Sequence, residues 1–188
     1  MSKSIVRTSP SVAPAPDVLV TSGSMDGPRN IITIAWATNC SAEPPMTCIA
    51  VRPSRYSHDL ISAAGDFTIN IPRVSHLKEV DYCGQVSGRQ SDKFSDCGFT
   101  AGPSQKVKAP SIVECPVNIE CVVRNTVKAG THHLFVAEIV AVNADSDLIV
   151  DGKVDFSRVN LIAYAQNHYY ELGRDIGVYG FSTRGKRA

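Results

Sequence analysis

Asn30-Ile-Ile-Thr-Ile-Ala-Trp-Ala37 is the stretch on which the fold turns. It is apolar and rich in β-branched residues, which suits a strand. On a strand, Asn30, Ile32, Ile34 and Trp36 share one face, while Ile31, Thr33, Ala35 and Ala37 share the other. Neither face is purely apolar. Either the fold itself satisfies the embedded amide and hydroxyl groups, or they hydrogen-bond a planar ring. Working outward, Val18 to Ser22, Met46 to Val51 and Phe67 to Ile71 read as further strands. Val117, Ile119, Cys121 and Val123 lie at period two, so that segment has one buried face. Leu134 to Val142 reads as a long strand, and Asp151-Gly152 marks a hairpin within Leu148 to Phe156. Leu161 to Tyr164 adds one more.

Helix signals are few. Ser57 is placed to cap a helix that runs to Ala64 and is stopped by Gly65. Ser75 is placed to cap a second, with Leu77 and Val80 inward and Gly84 as the stop. Two short helices among seven or eight strands predict a closed antiparallel barrel. Gly88 to Lys108 is polar and irregular, a loop long enough to suspect function.

The chain of 188 residues fits one domain. We expect a flexible arm over 1–15, a folded domain over 16–180 and a basic tail over 181–188. Residues 1–16 lack the apolar run of a secretory signal, and no stretch reaches transmembrane length. A net charge of +1 argues against nucleic acid and against a membrane surface as partners. The six cysteines form no C-x-x-C pair, which speaks against a zinc ribbon and predicts no metal site. They are read as free thiols in the cytoplasm.

Four segments carry candidate chemistry. Val51-Arg-Pro-Ser-Arg-Tyr-Ser-His58 leaves a strand and enters a helix, placing guanidiniums and hydroxyls where free N–H groups attract an anion. It reads as a phosphate site, or as an ordinary exposed loop. Cys83-Gly-Gln-Val-Ser-Gly-Arg-Gln-Ser-Asp-Lys-Phe94 has small residues for close backbone approach and two cations; it reads as a second ligand contact or a solvated turn. The Asn30 strand is the third. The fourth, Gly130-Thr-His-His-Leu134, follows an expected Ala129-Gly130 turn, and its histidines read as functional or as surface groups. No G-x-S-x-G elbow and no HExxH is present, and Cys40 and Cys48 make poor nucleophile candidates.

In this order, the segments resemble the flavin reductase-like, flavoredoxin-type family of FMN-binding split barrels. Further markers are Gly27-Pro-Arg-Asn30, Asn70-Ile-Pro72, Pro110-Ser-Ile-Val-Glu-Cys115 and Tyr169-Tyr-x-Leu-Gly173. The resemblance implies a mainly β fold: an antiparallel Greek-key split β-barrel with a few short helices. It implies a homodimer with one FMN per subunit. It places Asn30, Thr33, Ala35 and Trp36 by the flavin ring, and Val51, Arg52, Pro53, Tyr56 and Ser57 around ribityl and phosphate. Ser87, Gly88 and Lys93 would close over the cofactor, and His132 would be the catalytic residue near the flavin face. Ala137 departs from the glycine many relatives carry. The implied activity is NAD(P)H-dependent flavin reduction, with free flavin as acceptor. The alternatives are an FMN electron carrier that serves a partner protein and ignores nicotinamides, a metal-ion reductase, or a flavin-free binding module. Low aromatic content, 7%, argues against the last as an oligonucleotide binder.

Overall fold

Val18–Gly23 is buried at all six positions, so it must lie between two layers. The computed structural model describes residues 2–10 and 12–183. In chain order its strands begin with β1 (Ala15–Pro16), β2 (Val18–Gly23), β3 (Arg29–Ile34), β4 (Ala37–Ser41), β5 (Met46–Val51) and β6 (Asp66–Ile71). They continue with β7 (Ala101–Gly102), β8 (Ser111–Ile112), β9 (Val117–Ala129) and β10 (His132–Ala144). The last are β11 (Ile149–Val150), β12 (Lys153–Val154), β13 (Ile162–Ala165) and β14 (His168–Glu171). The helices are α1 (Tyr56–Ala64), α2 (Leu77–Gln85) and α3 (Lys93–Cys97).

Seven strands form one antiparallel sheet in the order β3-β2-β6-β9-β10-β5-β4. Its two rims, β3 and β4, are consecutive in the chain and parted only by Ala35 and Trp36. The sheet therefore curls on itself without closing its hydrogen-bond ladder, so the closed barrel read from strand count is corrected to a split one. The strand expected over 30–37 is broken at Ala35-Trp36 for the same reason: the chain bends there from one rim to the other. β5 pairs with β10 rather than with β6, which lies beside β2, a Greek-key crossover. A second sheet, β1-β13-β14, has its own hydrogen-bond ladder and packs on the first through Ile162, which joins Leu19 and Ile31 in one buried cluster.

Val20, Ile32, Ile49, Phe67, Phe135 and Ile61 of α1 fill the inside of the curl. Ala137 is fully buried there, so the methyl it carries in place of glycine packs in the core. Leu19 and Ile31 point the other way, into a second cluster with Val80 and Cys83 of α2 and Phe94 of α3. This outer layer explains why β2 is apolar on both faces.

Several local expectations are corrected. The N-cap of α1 is Arg55, with no side-chain cap bond; Ser57 lies inside the first turn and is fully buried. Gly65 ends the helix in the left-handed region as expected, at φ 75°. For α2, Ser75 falls in a preceding 3-10 turn, Leu77 is 37% exposed, and Gly84 sits within the helix. A Cβ on Gly84 would come within 3.4 Å of Thr33 Cβ, so the glycine marks a tight helix–strand contact and not a stop. The polar 88–108 stretch holds α3, capped by Asp92 through the N–H groups of Phe94 and Ser95. The hairpin turn before His132 is Gly130-Thr131, one residue later than expected. Residues 2–10 and 12–14 are exposed without strand or helix, Ala15 already pairs in β1, and 184–188 of the basic tail lie outside the described residues. Among the described residues, no helix is long and apolar enough to cross a membrane, and no cluster of potential ligands could hold a metal ion.

Asp17 gives the fold a pH signature. It is 3% exposed, its Oδ2 has no hydrogen-bond partner, and burial with the nearby Asp81 raises its pKa to about 6. A carboxyl raised in the folded state binds more protons there than in the unfolded chain between pH 4 and 6. It therefore lowers stability as pH rises through that window. We expect Asp17→Asn to stabilise the protein by roughly 1–3 kcal/mol at pH 7 and to give no gain below pH 4. Thermal melts of both proteins across this range check it; an equal gain at every pH would rule out the titration.

Candidate functional site

At the bend between β3 and β4 the sheet leaves a cleft of about 320 Å³, at the small end of ordinary ligand sites. One wall is Thr33, Ala35 and Trp36; the other is Val51 and Arg52 at the end of β5, with His132 at the start of β10. Arg55, Gly84 and Tyr164 complete it. A recess of about 40 Å³ shares Ile32, Arg55 and Gly84 with the cleft and extends it toward Asn30, Tyr56, Ser87, Gly88 and Lys93. The structure thus brings together segments that are far apart in sequence. Of the expected site residues, Pro53 and Ser57 line neither space; Pro53 is exposed and Ser57 lies behind the wall.

The anion-facing end is built by the turn into α1. Arg52 and Arg55 are exposed, and α1 begins without a side-chain cap. Its first N–H groups and the two guanidiniums therefore form a cationic end to a cleft of mixed polar and apolar lining.

His132 sits over the indole of Trp36 with ring centroids 4.7 Å apart. Arg52 Nε donates to His132 Nε2 at 3.3 Å, and His132 Nδ1 lies 2.9 Å from Thr131 Oγ1. Nε2 accepts, so the ring is neutral with its proton on Nδ1. Burial, and secondarily the Arg52 charge, hold its pKa below the ordinary value. The neighbouring His133 faces away from the cleft, where its Nδ1 meets His58 Nε2 at 2.9 Å.

Lys93 is 3% exposed, and its ammonium donates to the carbonyls of Ile31 and Cys83, both at 2.8 Å. Burial lowers its pKa. Two of its three hydrogens are thereby engaged, so its first role is to tie α3 and α2 to β3. Asn30 Nδ2 donates to Ser57 Oγ at 2.9 Å, joining β3 to α1. A Cβ on Gly88 would lie 2.0 Å from Asn30 Oδ1. Glycine at 88 is thus demanded by the buried amide behind it. Gly88→Ala is expected to cost about 1–3 kcal/mol. The double change with Asn30→Ala should recover part of that loss, as contacting residues are non-additive; a strictly additive thermal-melt cycle would disprove the contact.

Sequence reading left out Arg55, Gly84 and Tyr164. The first two stand inside segments already singled out. Tyr164 comes from the separate sheet, where its hydroxyl donates to Asn167 Oδ1 at 2.8 Å, and no local signal pointed to it.

A family model described as a flavin reductase like domain matches residues 11–173. The structure is similar to flavoredoxin of Desulfovibrio vulgaris (Miyazaki F), with TM-score 0.88 and 32% identity over 97% of this chain and 99% of that one. It is also similar to flavoredoxin from Methanosarcina acetivorans, with TM-score 0.90 and 28% identity over 99% of this chain and 100% of that one. In sequence, the reductase component of a 4-nitrophenol 4-monooxygenase/4-nitrocatechol 2-monooxygenase from Rhodococcus opacus is 27% identical over 69% of this chain and 66% of its own length.

Proposed function

Since the chain belongs to the flavin reductase-like family, we propose that its cleft binds FMN and that the protein catalyses NAD(P)H-dependent reduction of flavin. The carrying observation is a cleft with Ile32, Ile34, Ala35, Ala50 and Val51 on its lining and Arg52 and Arg55 beside the uncapped start of α1, adjoined by a more polar recess that shares Ile32, Arg55 and Gly84 with it. A planar ring system with a phosphate tail asks for that combination. The residues fit the group: forked donors for a dianion, and the small residues Gly84 and Gly88 on the lining of the recess.

FMN, when bound, supplies the hydride-accepting chemistry. The chain's own residues do the rest. Arg52 and Arg55 hold the phosphate. Thr33, Ala35 and Val51 shape the ring slot, and Asn30 with Ser87 borders the recess. His132, neutral and fixed by Arg52 and Thr131, can hold or deliver a proton through Nδ1 at the cleft wall. Trp36, 46% exposed, offers a face on which a nicotinamide can stack. The same exposed edge suits a second copy of the chain, and we propose a homodimer.

A second reading, an FMN electron carrier, is favoured by the likeness to two flavoredoxins at 28% and 32% identity. One experiment separates the two. The purified protein is expected to show a flavin visible spectrum that bleaches on anaerobic addition of NADH or NADPH and to turn over either donor when free FMN is supplied. A yellow protein that no nicotinamide bleaches would establish the carrier reading, and a colourless one that takes up no FMN would end both. Gel filtration at twice the monomer mass checks the dimer.

A further inference from the structure

Two thiols that the proposed reaction does not use lie against each other at the recess, whose lining includes Cys83. Cys83, on α2, and Cys97, the last residue of α3, have sulfurs 3.8 Å apart. Cys83 is fully buried and Cys97 is half-buried. The chain between them carries Gly84, Ser87, Gly88 and Lys93, which border the recess. We propose that Cys83 and Cys97 are a redox modification site, forming a reversible disulfide when a hydroperoxide reaches Cys97.

The burial difference orders the steps. The Cys97 thiolate attacks the outer oxygen of the hydroperoxide; the O–O bond breaks, an alcohol or water leaves, and Cys97 becomes a sulfenic acid. The Cys83 sulfur then attacks that sulfur; the S–O bond breaks, and hydroxide departs with the Cys83 proton as water. Two thiols and one hydroperoxide give one disulfide, one alcohol and one water. Cys83 is too enclosed to meet the oxidant first, which makes it the resolving thiol. To form a bond of ~2.05 Å the sulfurs need only close the present gap by side-chain rotation and a small helix shift. Burial pushes both thiols up, most of all Cys83, which the Lys93 ammonium pulls partly back. The reaction therefore speeds up with rising pH. The product is a closed ring of backbone from 83 to 97 that holds one border of the recess at both ends. This inference does not depend on the flavin reading.

The test uses the full chain carrying Cys40→Ser, which removes the exposed thiol. After hydrogen peroxide treatment at pH 8, alkylation and peptide mapping, we expect a linked peptide pair containing Cys83 and Cys97, lost on addition of dithiothreitol. Amide hydrogen exchange over 86–92 should slow at least fivefold on oxidation and recover on reduction. Cys83→Ala should trap Cys97 as a sulfenic acid captured by dimedone, and Cys97→Ala should leave Cys83 unmodified. Alkylation of both thiols in full after peroxide, or pairing of Cys97 with another chain, would overturn the proposal; the mapping of the parent protein decides this even where a variant fails to fold.

Discussion

Replacing Arg52 and Arg55 together with alanine is expected to weaken FMN binding at least ~100-fold. A hydrogen bond to a charged group contributes about 1.5–3 kcal/mol, and each 1.4 kcal/mol is tenfold in affinity. Two such donors place the loss at about 3–6 kcal/mol before solvent screening, and both side chains are exposed, so the lower end applies. Lysine at both positions keeps the charge but loses the fork, and should recover only part of the affinity. The remaining binding should fall further with salt in the parent than in the alanine variant, because screening acts on the charges that were removed. Titration of apoprotein with FMN, followed by fluorescence, measures all of this. An affinity unchanged within threefold in the double alanine variant would mean that the phosphate lies elsewhere. Arg52 alone carries a second effect, since it also bonds His132 Nε2. Arg52→Ala frees that nitrogen, so the histidine should titrate nearer its ordinary value, readable by NMR.

The largest stability loss is expected at Glu120. This side chain is fully buried on β9, and its carboxyl oxygens accept from the N–H of Gln105 at 2.8 Å, the N–H of Lys106 at 2.6 Å and Asn143 Nδ2 at 2.7 Å. Nearby, Asp66 accepts from the N–H groups of Lys108 and Ala109, and Asn70 accepts from the N–H of Ile112. These three side chains, with Thr21, Thr68 and Asn118 donating to the carbonyls of Pro110, Ala109 and Ile112, anchor a strap, residues 103–112, that has few ladder bonds of its own. Glu120→Ala removes the acceptor that two backbone donors and an amide share, and leaves a void where a fully buried side chain packed. The expected cost is about 3–5 kcal/mol, or roughly 6–20 °C in Tm for a chain of this size. Glu120→Gln should cost less but still destabilise, because its NH₂ would face a donor. A Tm within 2 °C of the parent for the alanine variant would show that the strap is held by other means.

These anchors also show what the sequence could and could not tell. β5 was legible to the residue, Met46–Val51, because its apolar run is bounded by Pro45 and by Arg52-Pro53. The Asp151-Gly152 turn was legible because both residues take positive φ, 49° and 72°, which that pair favours. α3 was not, since five mostly polar residues give no period to read, and its Asp92 cap is informative only once the helix is known. Ser57 misled because a serine near a helix start is usually a cap. Here the partner that claims it is Asn30, 27 residues away. The same holds for the site. The cationic turn could be seen locally, but that β5 lies beside β10 and not β6 is a non-local pairing, and only that pairing brings His132 to Arg52. Tyr164 reaches the cleft from another sheet altogether.

A sheet that curls without closing has two bare borders, each able to recruit a stranger's backbone. In this molecule both belong to one bent length of chain, so a single neighbourhood must be guarded. β4 does it by brevity, by the slip in pairing between Asn39 and Ser41, and by polar side chains. β3 does it with Lys93, whose ammonium occupies the Ile31 carbonyl that an intruding strand would otherwise seek. With that carbonyl already taken by a buried ammonium, this length of β3 offers an incoming strand no acceptor there, whether or not any ligand is at home.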